Sequence, residues 1–154
     1  MEFTPEKDPG IIPNVLTQIL DTCVNGITLS DPDQPDNPIV FANKVFEDMT
    51  GYGQEEIIGR NCRFLHGDDR DQPGLETIRE AMKTHTRVEV VLRNYRKNGE
   101  LFHNQLTVQP LLDENGELLY YLGVQYDITP IMSAREEADR MADLFKKGKD
   151  APAE

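Results

Sequence analysis

Three stretches in the second half of the chain constrain its fold more than any other feature. Residues 88–95, 101–111 and 117–128 alternate apolar with polar side chains, and KNG and DENG stand between them. A period of two marks a strand with one buried face, and Asn-Gly is a strong hairpin signal. Two shorter strand candidates, GITLSD and PIVFAN, flank the turn-rich run DPDQPDNP. Short helical segments lie between these two groups. The order predicts an α+β fold: a five-stranded antiparallel sheet with short helices on one face and flanking helices at both ends. The pattern leaves the pairing order of the strands open.

The helical segments carry their own punctuation. Residues 11–22, IIPNVLTQILDT, read as a short apolar helix, with Pro13 compatible with its first turn. Residues 1–10 read as a flexible leader. Asn43 is placed to cap a helix through Val45, Phe46 and Met49, which Gly51 ends. Residues 54–65 read as broken helix and loop. Pro73 starts a helix whose Leu75, Ile78, Ala81 and Met82 share one face. After Thr129, residues Ile131, Ala134, Ala138, Met141 and Phe145 recur at intervals of three and four. That is an amphipathic helix with a heptad-like seam, suited to docking on the sheet or on another chain. The organisation is therefore a leader and helix over 1–23, a core over 24–129, and a helical tail over 130–154.

Composition narrows the function. A formal charge of -12 across 154 residues repels the phosphate backbone of nucleic acid, so no nucleic-acid partner is expected, although a local basic spot can hold one small phosphate. No apolar run is long enough to span a bilayer, and MEFTPEKDPG lacks the order of a secretion signal. Two cysteines make neither a disulfide framework nor a metal cluster. A reducing, cytoplasmic setting is expected. Neither a Walker loop, a Rossmann fingerprint nor a paired-histidine zinc motif is present.

Three carboxamides stand out. Asn94 shares a strand face with Val88, Val90 and Leu92; Asn104 with Phe102, Leu106 and Val108; Gln125 with Leu119, Tyr121 and Gly123. An unpaired buried amide costs roughly 1–3 kcal/mol, so each needs partners. Carboxamides donate and accept, which suits the edge of a flat heterocycle with alternating carbonyls and nitrogens. Cross-linking the sheet, or facing solvent, fits the same pattern. Gly123 is read as room for a ring or as an edge bulge.

Cys62 lies in GRNCRFLHG, flanked by Asn61 and Arg63, with His66 one helical turn on. A small buried hydrophobe and a reactive thiol are both open readings. Arg63 and Arg79 could clamp a phosphate through their donor forks, or form surface ion pairs with the many acids; Arg70 is a weaker candidate. Cys23 is expected to be packed, with redox sensing as its alternative. His85 is expected at the surface near a helix end. His103 is expected on the sheet face opposite Asn104.

GRNCRFLHG resembles the flavin-binding signature of light-oxygen-voltage (LOV) domains, the blue-light-sensing branch of the PAS fold. DPDQPDNPIVFAN, FEDMTGY, LRNYRKNG and YYLGVQYDIT extend the resemblance over residues 26–129, in the family's order. The resemblance implies FMN as cofactor and a reversible bond between Cys62 and flavin carbon 4a. It matches Asn61, Asn94 and Asn104 to residues contacting or positioning the flavin, and Gln125 to a glutamine near flavin nitrogen 5. Arg63 and Arg79 match arginines that hold the phosphate. Thr28, Ser30, Asn43, Leu65, Leu106 and Tyr121 fall where residues line or border the pocket. One position departs: the usual glutamine of the cysteine motif is His66. The implied function is a photoreceptor, not an enzyme, relaying a change through Gln125 to the terminal helix, to a homodimer interface, or to an output domain. The alternatives are a non-photochemical PAS ligand-binding or dimerisation module, and a redox flavoprotein.

Overall fold

The computed structural model describes residues 11–150; the leader expected over 1–10 and the end of the tail over 151–154 lie outside them. The helices are α1 (Ile11–Asp21), α2 (Lys44–Thr50), α3 (Gln54–Ile57), α4 (Pro73–Lys83) and α5 (Thr129–Asp150), with a 3₁₀ helix at Cys62–His66. The strands are β1 (Gly26–Ser30), β2 (Ile39–Ala42), β3 (Val88–Tyr95), β4 (Leu101–Leu112) and β5 (Leu118–Asp127). They form one antiparallel sheet in the order β2-β1-β5-β4-β3. The last strand thus closes against the first, a pairing that local turn signals do not reveal.

Asn43 caps α2, its side chain accepting from Phe46 N at 3.1 Å. Gly51 ends that helix at φ 80°, a left-handed conformation that a residue with a Cβ resists, and its N–H bonds Glu47 O. The expected broken segment divides into α3 and the 3₁₀ helix, because Ile58 turns to extended backbone. Pro73 opens α4, where its missing N–H costs nothing.

The strand ends differ slightly from the periodicity. β4 runs on to Leu112 and β5 starts at Leu118, with an irregularity between Leu111 and Leu112. The reason is the turn: Asp113 accepts from the N–H groups of Asn115 and Glu117, which holds Glu117 out of the strand.

Two apolar clusters fasten helices to one sheet face. Ile39, Ala42, Phe46, Ile57 and Leu65 join β2, α2, α3 and the 3₁₀ helix, and Leu75, Leu92 and Leu106 join α4 to β3 and β4. Burying each such large side chain stabilises the fold by about 1.5–3 kcal/mol. Asn43 also ties down α1, donating to Leu20 O at 2.8 Å and Asn25 O at 3.0 Å.

At the other end, α5 leaves the sheet through a bonded junction. His103 N donates to Thr129 Oγ1 at 2.8 Å, Thr129 N to Asp127 Oδ1 at 2.9 Å, and Arg96 reaches Asp127 at 2.7 Å. Beyond the junction Ile131, Met141, Leu144 and Phe145 are exposed, so the seam of α5 is not covered by the sheet. Cys23, expected to be packed, is exposed instead: it follows the end of α1, and its thiol donates to the Ile19 carbonyl at 3.4 Å. Among the described residues no helix is long and apolar enough to cross a membrane.

Candidate functional site

The three carboxamides share one buried stripe. Asn94, Asn104 and Gln125 are at most 4% exposed, and Thr28 on β1 joins them at 5%. The register explains the meeting. Asn104 faces Leu92, one step diagonal from Asn94, while Gln125 faces Leu106, one step diagonal from Asn104. Thr28 faces Gly123, diagonal again from Gln125. Diagonal neighbours are within reach of long side chains. Asn104 Nδ2 donates to Asn94 Oδ1 at 2.9 Å and toward Gln125 Oε1 at 3.5 Å, and Gln125 Nε2 donates to Thr28 Oγ1 at 3.1 Å. A polar ladder therefore crosses four strands.

The ladder is not closed. Asn104 Oδ1 is buried and has no hydrogen-bond partner among the described residues. A buried acceptor left in that state costs about 1–3 kcal/mol, which a ligand donor would offset. Farther along the same face Gly123 pairs in regular register, without a bulge, and a Cβ there would lie 2.5 Å from Thr28 Oγ1. Leu106 and Tyr121 line the same face, and the Tyr121 hydroxyl donates to Met82 O of α4 at 3.1 Å. Ser30 sits half-buried at the end of β1, opposite Tyr121.

The cysteine segment is held by its own neighbours. Asn61 caps the 3₁₀ helix, accepting from Arg63 N at 3.0 Å, and donates to Asp36 O at 2.7 Å in the loop between β1 and β2. Leu65 is buried in the first apolar cluster. Cys62 counts as exposed over the whole residue, yet burial pushes its thiol pKa up, against the smaller lowering effects of a backbone N–H and Arg63. The atoms packed around the sulfur, rather than the residue's total surface, govern its ionisation, so Cys62 is a neutral thiol at pH 7.

His66 is buried, at 9% exposure. Burial and then Arg70 lower its pKa, Asp69 opposes them, and Arg63 and Arg79 lower it further. The two arginines proposed as a clamp stand in separate surface pairs: Arg63 with Asp36, and Arg79 with Glu76 at 2.8 Å. The Asn43 side chain is committed elsewhere, since it bonds the backbone of Leu20, Asn25, Ile27 and Phe46.

A further cluster carries no sequence signal. Asp69 accepts from Arg93 at 2.7 and 2.8 Å and from the Tyr95 hydroxyl at 2.8 Å. Gln72, buried, donates to Arg93 O and accepts from Arg93 N. These contacts lace the loop after the 3₁₀ helix to β3. The partners lie more than twenty residues apart in the chain, and only a pairing of loop with strand could have exposed them. Among the described residues no group of histidine, cysteine, aspartate or glutamate is arranged to hold a metal.

Residues 24–130 match the family model of the PAS domain. A solved light-oxygen-voltage domain studied with a flavin analogue is 38% identical, with a TM-score of 0.70 over 84% of this chain and 96% of that one. The chain belongs to the LOV branch of the PAS family. A solved RNA-binding LOV receptor superposes with a TM-score of 0.77 at 31% identity, over 98% of this chain and 42% of that one. The blue-light photoreceptor of Listeria innocua is 45% identical over 116 residues, 75% of this chain and 46% of that protein. This LOV chain spans less than half the length of the curated relatives it matches. Its polar ladder, Gly123 and Cys62 all lie within residues 24–130, the stretch that the PAS family model matches.

Proposed function

We propose that this chain senses blue light by binding FMN against the polar ladder, with Cys62 as the photochemical thiol. The observation that carries the proposal is the orphaned Asn104 Oδ1 within a buried amide stripe. A flavin's pyrimidine edge offers both N–H donors and carbonyl acceptors, the complement of Asn94, Asn104 and Gln125. Gly123 carries no side chain, which lets Thr28 Oγ1 and Gln125 Nε2 lie close over the backbone at the end of the ladder, and Leu106 is apolar surface for a ring. The donor set therefore fits the group.

FMN would supply absorption in the blue and an electrophilic ring carbon to which a thiol can add reversibly. Cys62 brings the sulfur and, being neutral, also the proton that must reach the ring nitrogen beside that carbon. Asn61 fixes the start of the 3₁₀ helix and so the position of the sulfur. Arg63 and Arg79 would hold the phosphate. Each must leave a surface carboxylate to do so, and such exposed pairs contribute only about 0–1 kcal/mol, so the exchange is cheap. Leu65 would pack beneath the site, while Thr28, Ser30 and Tyr121 border it. Asn43 acts from behind, holding β1, α1 and α2 together.

The relay runs through Gln125. Its amide donates to Thr28 and accepts from Asn104, and a nitrogen that turns from acceptor to donor favours the opposite orientation. Asp127 lies two residues further along β5 and holds Arg96 and Thr129 at the root of α5. The bistable element is the seating of α5, alone or against a second copy in a homodimer. An output domain or signalling partner would read that change.

The test is an absorption spectrum of purified protein before and after a blue-light pulse, followed in the dark. A structured flavin band that bleaches and recovers is expected, and Cys62→Ala should keep the band and lose the bleach. A band that never bleaches points to a redox flavoprotein. Absence of flavin even after reconstitution points to a PAS module with another ligand or with a dimerisation role.

A further inference from the structure

Cys62 is fastened from both sides by one residue of a strained loop. Residues 31–38 join β1 to β2, and within them Asp36 and Asn37 hold φ at 70° and 46°. That left-handed backbone is costly for any residue with a Cβ, and aspartate and asparagine tolerate it better than most. Internal bonds keep the loop in shape: Asp33 N and Gln34 Nε2 donate to the Asp31 carboxylate at 2.9 and 3.0 Å, Asn37 N donates to Gln34 O at 3.3 Å, and Asp31 N to Pro38 O at 3.0 Å. Strain of this kind persists only where its surroundings over-determine it. Here it serves two contacts. The Asp36 carbonyl accepts from Asn61 Nδ2 at 2.7 Å, and the Asp36 carboxylate pairs with Arg63. Asn61 and Arg63 are the two neighbours of Cys62 in the chain, and they are bonded to each other, Arg63 N donating to Asn61 Oδ1 at 3.0 Å. One residue earlier, Arg60 O accepts from Ile39 N of β2 at 2.8 Å.

We propose that Asp36 is a positioning residue for Cys62: the left-handed turn at Asp36 aims its carbonyl at Asn61 and so sets where the thiol stands. The inference rests on the flavin reading for what the thiol does, and goes beyond it by naming what holds the thiol in place. The carbonyl carries the positioning more than the charge does. The ion pair joins two exposed side chains and is screened by solvent. It is also the pair that Arg63 gives up when it turns to a phosphate, whereas the bond from Asn61 can stay. Asparagine at position 36 keeps the backbone and loses the charge. Glycine adopts the same φ without strain, while a β-branched valine favours extended backbone and swings the carbonyl away. Backbone compatibility, not charge, therefore orders the variants.

The experiment follows amide hydrogen exchange at Arg63 and Phe64, whose N–H groups bond Asn61, in the full chain with and without added FMN. Asp36→Asn should exchange as wild type does and Asp36→Gly should stay close to it, whereas Asp36→Val should exchange about tenfold faster, the scale of a left-handed penalty transferred to the mount. The increase should hold at low urea concentrations without rising, the mark of a local opening rather than global unfolding. Asp36→Ala, a smaller change, carries the same comparison should Asp36→Val not fold. In an Asn61→Ser background, which keeps a capping oxygen but is too short to reach the loop, Asp36→Val should add little. With FMN bound, Asp36→Val should keep the flavin band and bleach less per pulse than Asp36→Asn. Equal exchange in Asp36→Asn and Asp36→Val, or an increase that climbs with urea, would overturn the inference while leaving the flavin reading intact. Absence of flavin from every protein, wild type included, would overturn the flavin reading, and the exchange rates would still decide the mount.

Discussion

A methyl group at position 123 would sit 2.5 Å from Thr28 Oγ1 and 3.3 Å from Gln125 Nε2. Neither atom is free to retreat, because the two are bonded to each other at 3.1 Å on adjacent buried strands. Gly123→Ala should therefore destabilise the domain by about 1–3 kcal/mol, the usual cost of overpacking, and should lower its flavin content. Thr28→Ala removes the hydroxyl, so the same added methyl should cost less than half as much in that background. Urea unfolding of the four proteins in the cycle, with flavin content measured alongside, checks the coupling. Equal penalties in both backgrounds would mean that the close approach does not constrain the site. The same residues explain what was legible. Alternation alone places each of Asn94, Asn104 and Gln125 on the apolar face of its strand. It does not reveal that they meet on diagonals, because that depends on register, nor that Asn104 keeps an unpaired oxygen.

At the scale of elements, the hairpins and helix caps were readable because their causes are local. As helix-end signals, Asn43, Gly51 and Pro73 each act within four residues of themselves, although Asn43 also makes distant bonds that its sequence does not announce. The pairing of β1 with β5 was not, since it joins residues almost a hundred positions apart, as the Thr28–Gln125 bond does. The Asp69 clamp was hidden for the same reason. Its carboxyl has a pKa of about 2 instead of the usual 3.8, held down by hydrogen bonds from Arg93 and Tyr95. A depressed folded-state pKa means that the unfolded chain binds the proton more readily. The stabilisation is complete above the unfolded value and drains away as pH falls through about 2. Asp69→Asn should thus melt at a lower temperature than wild type near neutral pH, by a gap that stays constant down to about pH 5 and narrows below about pH 4. Thermal melting followed by circular dichroism along a pH series reads that gap. A gap that widened on acidification would contradict the clamp. The loop it fastens begins directly after the 3₁₀ helix, so the same substitution should also loosen the mount of Cys62 and His66.

For the whole molecule, the outstanding feature is apolar surface on a strongly acidic chain. Ile131, Met141, Leu144 and Phe145 are exposed on α5, Val15 and Ile19 on α1, and Val91 and Tyr126 on the sheet. The proposed homodimer covers part of this surface with a second copy. The net charge of -12 works against it, since two like-charged molecules repel at every separation outside contact. These forces respond to salt differently. Repulsion between exposed charges is screened over about 10 Å at 0.1 M and about 3 Å at 1 M ionic strength, whereas apolar burial does not weaken with screening. Self-association should therefore tighten several-fold as sodium chloride is raised from ~0.05 to ~0.5 M, over the range where the screening length contracts from above 10 Å to a few ångströms. Sedimentation equilibrium at a series of protein concentrations reads the dissociation constant directly. Met141→Glu and Leu144→Glu should leave the flavin band unchanged and shift the mass toward the monomer, because they put charge into the seam without touching the ladder. Weakening with salt would mean that ion pairs rather than the apolar seam join the two copies, and α5 would then be free to move without changing the assembly.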